Sequence, residues 1–461
     1  MIARAALLWL VVFGLYASTI GLHAFDRSDY GGDEPHYLLT AKSIVDDGNP
    51  DLTDEYRRRA YDGFYPHPLD PHGTLTENRL NEPHGVGFPL LIAPAWALGG
   101  ETAVELWLAA LAALAIVLAY LLAVRAVPDP WALGATLAVA ASPPLLAYST
   151  AVYPELAAAA ALAGATLLAL RLDERVNRRT ALGCFALLGT LPWLGPRFAP
   201  AGIVVAAIAL RSMRRARRPW MMLVSVEVVA FSVATYISVS DAFYGGPTPH
   251  SAGIGEQAGT GADTAGDYLD RAYRLAALLV DREFGLLRWA PVFALAMLGA
   301  WLALRERRGR LARAIPALRR EERTVMGCTL VAGAHVVVAA FLAPTMFGFW
   351  FPGRHLVAVL PLAVPLVALG LRRLPRTGAA LSALTLVASV WLYADLRWGD
   401  GTWVDRRPDA PWGPLEGAWP LFTEGSTVPF VVAGVLGALL IAALALAVRG
   451  PAWRAIRGTA P

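Results

Sequence analysis

Residues 6–24, ALLWLVVFGLYASTIGLHA, carry no Asp, Glu, Lys or Arg, and YGGDEPHYLLTAKSIVDDGN follows almost at once, from Tyr30 to Asn49. The first stretch approaches the roughly 20 apolar residues that cross a bilayer core. The second places two adjacent carboxylates, a histidine and a tyrosine where that crossing ends. This pairing decides the fold class. The solvent of the chain is largely lipid, and its chemistry belongs at the lipid boundary.

Composition agrees along all 461 residues, with 56% hydrophobic and only 16% charged side chains. Twelve candidate spans are read, at roughly 5–23, 101–124, 131–149, 154–170, 181–194, 198–210, 220–240, 286–304, 325–343, 354–371, 378–394 and 428–448. The fifth and sixth are short and separated only by PWLGPRF, which suits a broken pair. The expected fold class is therefore all-α, a polytopic transmembrane helical bundle forming one integral membrane unit over 1–461. Met1 to Ala24 reads as an uncleaved anchor, because no small-x-small cleavage site ends it.

Basic residues set the expected orientation. With the N-terminus inside, 25 of the 40 Lys and Arg residues fall in Arg4, Arg125, RLDERVNRR, RSMRRARR, RERRGRLARAIPALRREER, LRRLPR and RGPAWRAIRG. Both ends are then cytoplasmic. The formal charge of +4 is a topology signal, and no nucleic-acid-reading module accompanies it. Cys184 and Cys328 lie near cytoplasmic span ends, so no external disulfide is expected. Arginine almost entirely replaces lysine, which points to a GC-rich bacterial genome and so to the bacterial inner membrane.

External polypeptide concentrates in three loops, 24–100, 241–285 and 395–427. In the second, DYLDRAYRLAALLVDREF places Leu269, Tyr273, Leu275 and Leu279 near one helical face, as an interfacial helix would. The third carries Trp398, Trp403, Trp412 and Trp419. Tryptophan is enriched at membrane boundaries, so anchoring is the favoured reading over sugar stacking. The Gly-rich GGPTPHSAGIG lacks the GK[ST] ending of a nucleotide-binding loop.

Asp33-Glu34-Pro35 reads as a helix start, with proline in the first turn and a carboxylate able to cap free amides. Tyr37, Leu38, Ala41, Ile44 and Val45 share one face, so a short helix in the membrane surface is expected, stopped by Gly48. An acidic pair after a span is ordinarily a solvated helix cap. Two further elements change its weight: Glu155 in VYPE at the start of span four, and Arg354-His355 in FWFPGRHL at the start of span ten, all on one side. A partly desolvated carboxylate can accept a proton from an attacking hydroxyl. An arginine fork can hold a phosphate leaving group. Together they suit transfer of a sugar from a lipid phosphate.

The chain resembles the polytopic GT-C glycosyltransferases, in particular the family 39-like group that includes protein O-mannosyltransferases and the enzymes adding aminoarabinose to lipid A. The resemblance runs in order through GGDEPHYLLTAKSIVDDGNPDL, EPHGVGFPLLIAPAWALGG, VYPE, LPWLGPRF, EFGLLRWAPVFALAMLG and FWFPGRHLVAVLPL. It implies a polyprenyl-phosphate sugar donor, an inverting reaction on the external face, no nucleotide sugar and no general metal requirement. Carried over by motif, Asp33 is the catalytic base, with Glu34 its neighbour. Glu155 is expected as a second acid shaping the pocket. Arg197 and Arg354 are read as phosphate contacts, and His36, Tyr37, His84 and His355 as lining the substrate site. The acceptor, whether glycan, lipid or protein, stays open, because no sizeable C-terminal external domain is seen.

His36, His67, His72 and His84 share the first loop with Asp33, Glu77 and Glu82, yet their spacings match no standard ligand pattern, so no metal is expected. Glu227 within span seven is the ionisable group a transporter reading would use. A multispan transporter or flippase of lipid-linked substrates is the rival class. It would need polar residues along a membrane pathway, and these are sparse.

Overall fold

The computed structural model describes residues 2–73, 75–76, 79–249, 262–305, 315–413, 417 and 419–422, with single positions at 431, 435, 438 and 442. Apart from those four positions the expected span at 428–448 lies outside the described residues, as do Glu77 and the Gly-rich centre of the second loop.

Among the described residues, six helices are long and apolar enough to cross a membrane: Gly87–Ala126, Glu155–Glu174, Pro219–Tyr244, Ala317–Phe341, Arg354–Arg373 and Pro375–Trp398. Ile2–Ala17, Trp131–Ala140 and Pro291–Leu304 are shorter apolar helices. Arg178–Leu194 and Ala199–Arg215 form the expected broken pair, joined by a 3-10 turn at Pro196–Phe198. The chain is a membrane-embedded helical bundle. Among the described residues, its strands are limited to the two-residue pair Leu75–Thr76 and Arg79–Leu80.

Several expected spans are cut where the sequence carries breakers. The 131–149 stretch divides into Trp131–Ala140 and Pro143–Tyr148, because Pro143 and Pro144 cannot continue a helix. The 286–304 stretch breaks at Pro291 into Leu286–Trp289, a 3-10 turn and Ala294–Arg305. Helix Gly87–Ala126 begins before the expected span and bends at Gly99–Gly100; Gly100 has φ 63°, a left-handed conformation that glycine adopts without strain.

The expected interfacial helix is also interrupted. Ala265–Asp270 and Arg274–Val280 flank a 3-10 turn at Arg271–Tyr273. Arg271 and Arg274 donate to the carbonyls of Phe341 (3.0 Å) and Ala343 (2.7 Å), which holds the turn against the end of helix Pro316–Phe341.

Helix Glu155–Glu174 is the central post. Most of its residues are alanine, leucine or glycine, and sixteen of its twenty are buried. Small side chains let neighbouring helices approach closely where dispersion and shape drive association. The same logic brings helices Ala294–Arg305 and Leu360–Arg373 to backbone contact. A Cβ on Gly299 would lie 2.3 Å from the Leu366 carbonyl oxygen, and one on Gly370 would lie 2.6 Å from that of Leu295.

The two ends of the post differ in chemistry. Glu155 opens it among the loops. Glu174 closes it, paired with Arg125 at 3.0 Å and Arg320 at 2.7 Å, while neighbouring Asp173 pairs with Arg323 and Arg215. At 1.5 Å rise per residue these ends are about 30 Å apart, the thickness of a hydrocarbon core. The arginine-rich connections thus gather opposite the acidic loop motif.

Candidate active site

The site is assembled where three distant segments meet at the loop end of the bundle. The first is the start of helix Glu34–Asp46, with Pro35 in its first turn. Asp33 occupies the N-cap position with helical backbone angles and makes no side-chain cap, so its carboxylate is free to point elsewhere. Glu34 takes the backbone instead. Its Oε2 accepts from Gly31 N–H at 2.9 Å and its Oε1 from Val152 N–H at 2.8 Å. This ties the first loop to the segment entering helix Glu155–Glu174. Burial pushes Glu34 up to about 7 against those two hydrogen bonds.

Helix Glu34–Asp46 does not lie on a surface as its periodicity suggests. Residues 34–41 are buried on every side, and only beyond Ile44 does the helix emerge, with Val45 exposed. The reason is Glu34 and His36, polar groups that find partners inside and so allow the whole first two turns to sink. Gly48, at φ 71°, ends the helix as expected.

The second and third segments meet at Arg354, which follows Gly353 in a left-handed conformation (φ 88°). Arg354 Nη2 donates to Asp33 Oδ2 at 2.9 Å, and Nε donates to Glu155 Oε1 at 3.2 Å. Its guanidinium carbon stands 4.0 Å from the Tyr153 ring centre and 4.9 Å from that of Trp350. Arg354 is therefore a buried hub, 7% exposed at its side chain, holding residues 321 and 199 positions away. The expected free phosphate clamp is not what its geometry offers, because Nε and Nη2 are already spent on carboxylates. Arg197 is the more available cation. It donates to Glu155 Oε1 at 2.8 Å and keeps 39% side-chain exposure.

Asp33 is partly open, at 27% side-chain exposure. Burial alone would raise its pKa, but the charges of His84 and Arg354 and the Arg354 hydrogen bond outweigh it and hold the group well below the usual carboxylate range. His84 is itself pushed down to about 4 by burial, so near neutrality the lasting positive charge beside Asp33 is the guanidinium. Asp33 Oδ1 faces His84 Nε2 at 3.9 Å, leaving one carboxylate oxygen without the arginine. The result is an ionised aspartate with one anchored oxygen and one facing an imidazole.

A histidine cluster flanks it. His36 Nδ1 lies 2.7 Å from the Tyr56 hydroxyl and 3.1 Å from Glu82 Oε1, and Tyr56 donates to the same Glu82 oxygen. His72 Nδ1 and His84 Nε2 are 3.1 Å apart, and the His72 ring stacks on that of His36. Asp33, His72 and His84 bring three ligand atoms within 4.8 Å of one another, as do His36, His72 and Glu82. Either trio could hold a divalent ion; the contacts given above already join most of these groups to each other. Tyr37 packs edge-on to Phe88 and against His84.

Asp33, Glu34, His36, Tyr37, His84, Glu155, Arg197 and Arg354 thus gather in one region. His355 borders it through Trp350. Its ring packs edge-on to Trp350, its Nε2 is buried without a hydrogen-bond partner, and its carbonyl accepts from His335 at 3.0 Å. A small pocket opens beside the acid–arginine cluster, lined by Asp29, Tyr30, Glu34, Glu105, Tyr148 and Trp350 among others. Glu34 lines this pocket, whereas Asp33 does not.

No protein-family model matches the chain, and no curated protein matches its sequence. Solved structures do match. ArnT from Cupriavidus metallidurans in the apo state superposes with a TM-score of 0.52 at 17% identity, covering 97% of this chain and 73% of that one. The chain has an ArnT-like fold. The same ArnT bound to undecaprenyl phosphate aligns with TM-score 0.49, 17% identity, and 96% and 73% coverage. The archaeal oligosaccharyltransferase AglB from Archaeoglobus fulgidus, in complex with an inhibitory peptide and a dolichol-phosphate, aligns with TM-score 0.45, 13% identity, and 87% and 56% coverage. The polytopic helical bundle expected from the sequence is the architecture found, and it is a fold shared with that ArnT.

The candidate site residues from the sequence leave out Tyr153, Trp350 and Tyr56, and set His72 and Glu82 aside as loop groups. Tyr153 had a signal: it directly precedes Pro154-Glu155, and an aromatic beside an acid that meets an arginine is a natural face for that cation. Tyr56 had none, since its role depends on the first loop folding back on itself.

Proposed function

We propose that this protein transfers a sugar from a polyprenyl-phosphate donor to an acceptor hydroxyl, with inversion and with Asp33 as general base. The observation that carries this reading is the Asp33–Arg354–Glu155 bridge, which leaves Asp33 ionised, partly open and fixed in place. In this scheme Asp33 Oδ1 takes the proton of the acceptor hydroxyl. The hydroxyl oxygen attacks the anomeric carbon, the carbon–oxygen bond to phosphate breaks, and the phosphate leaves with the electron pair. Arg197 is the cation best placed to receive that phosphate, since its guanidinium is the more exposed of the two. Arg354 positions both acids, and Glu34 and Tyr153 brace the entry to helix Glu155–Glu174. The donor carries its own activated bond, so the scheme uses no nucleotide sugar.

The arginine-rich connections at the far end of the helices support an external placement for the site, at the outer face of a bacterial inner membrane. The acceptor is a glycan, lipid or protein hydroxyl reached from that face.

The test is direct. The purified protein in lipid vesicles receives a radiolabelled polyprenyl-phosphate sugar and an extract of cell-envelope acceptors. Label moving to acceptor with release of polyprenyl phosphate is the expected result. Movement of intact donor between leaflets, with no phosphate released, would replace this reading with a flippase.

A further inference from the structure

The C-terminal end of helix Glu34–Asp46 carries a feature that sugar transfer does not use. Asp47, the C-cap residue, meets Asp54 and Glu55 from helix Thr53–Arg58, and one carboxylate oxygen of each lies within 4.8 Å of the others. Three carboxylates therefore gather here, Asp47 at the negative end of one helix, where an anion is disfavoured, and Asp54 and Glu55 in the first turn of the next. Arg58 pairs with Asp54. Neither Asp47 nor Glu55 has an ion-pair partner among the described residues.

Glu55 is the second observation. It is 4% exposed, and its Oε2 is buried with no hydrogen-bond partner. A buried carboxylate oxygen without a donor is costly unless a cation meets it. Both oxygens of Glu34 accept from backbone amides, whereas Glu155 and Glu82 have Oε1 held by two arginines and by Tyr56 and His36, respectively, and, like Glu55, an Oε2 buried without a partner.

We propose that Asp47, Asp54 and Glu55 bind a calcium ion. The donors are all hard oxygens, without nitrogen or sulfur, which selects against zinc and copper. Three carboxylates on one site suit calcium, which takes several carboxylate and carbonyl oxygens in flexible geometry, better than magnesium, which is usually held by one or two carboxylates and keeps its waters. The ion joins the end of the helix that begins at Asp33 to the helix that carries Tyr56, the partner of His36. It is a brace for the first loop, and its binding is independent of any sugar chemistry.

The full chain in detergent or nanodiscs is titrated with terbium, whose luminescence is sensitised by nearby aromatic rings, and then with calcium chloride. Saturable luminescence displaced by calcium is expected, with a dissociation constant of about 10⁻⁴–10⁻³ M, the range of extracellular modules. Glu55→Gln and the exposed Asp47→Asn each weaken calcium at least tenfold. Asp62→Asn, which removes an exposed acid paired with Arg59, leaves it unchanged. Calcium raises the melting temperature of wild type but not of Glu55→Gln. Absence of saturable binding, equal affinity in wild type and both site variants, or equal displacement by magnesium overturns the assignment. None of these readings involves the donor, so failure here and failure of the transferase reading are told apart.

Discussion

Replacing Asp33 by asparagine separates chemistry from architecture. Asparagine keeps an oxygen that can accept from Arg354 Nη2, now 2.9 Å from Asp33 Oδ2, and Arg354 keeps Glu155 as its anionic partner. The lost part of that contact is the difference between a charge-assisted and a neutral hydrogen bond, about 1 kcal/mol. The lost base is a larger matter. General-base catalysis contributes about 10²–10⁴-fold, which at 1.36 kcal/mol per decade is about 3–5 kcal/mol of barrier. Asp33→Asn is therefore expected to melt within a few degrees of wild type, to bind the polyprenyl-phosphate donor normally, and to lose two to four decades in single-turnover transfer. Donor binding is followed by quenching of tryptophan fluorescence and transfer by label appearing in acceptor. Transfer within threefold of wild type would refute the base assignment. So would a loss that merely tracks unfolding, since that would make Asp33 a structural partner of Arg354 and nothing more.

Other perturbations divide the roles of the remaining groups. Arg197→Ala should raise the donor KM about tenfold, the value of one charge-assisted contact at about 1.4 kcal/mol, with little change in melting temperature; a change confined to kcat would reassign it. Arg354→Gln leaves two acids without their shared cation and should cost about 3–5 kcal/mol of stability, read as loss of folded protein on detergent gel filtration; a variant as stable as wild type would contradict the hub. Glu34 holds its proton to about 7 in the folded chain against an ordinary 4.5, so its contribution to stability is full below 4.5 and is lost as pH rises through 7. Melting temperature measured from pH 4.5 to 8 should fall less steeply in Glu34→Gln than in wild type, and identical slopes would exclude this origin. Gly370→Ala forces a methyl to 2.6 Å from a backbone oxygen and should destabilise by about 1–3 kcal/mol, whereas Gly134→Ala meets only the end of Leu371 at 3.7 Å and should be neutral in the same thermal assay.

Long apolar runs, proline positions and arginine bias made the helical bundle legible, because lipid imposes one rule on every backbone group. Lengths were less legible. Pro143 and Pro291 cut expected spans into pieces, and the apolar 87–98 stretch forms a helical segment that meets the expected span across a kink at Gly99–Gly100. At the site, Asp33, Glu155 and Arg354 stood out because charges at the ends of apolar segments need a reason. Which atoms each would hold was hidden. Glu34 and Asp33 are adjacent and chemically alike, yet one braces backbone and the other meets an arginine more than 300 residues away. Only the close approach of segment 149–154 to the first loop decides between them. The same limit applies to His36, Tyr56 and Glu82, whose network requires a loop to return on itself.

The alanine-rich post from Glu155 to Glu174 has one further consequence. Its alanines and glycine leave little side chain to repack, and both of its ends are gripped by guanidinium groups from other segments. It behaves as a gauge block: the depth of Asp33 is registered against the opposite leaflet by a length that the protein itself defines. Phospholipids of shorter or longer acyl chains must then adjust to the protein, by thinning or thickening around it, and under the proposed reading the spacing between hydroxyl, sugar and phosphate stays the same.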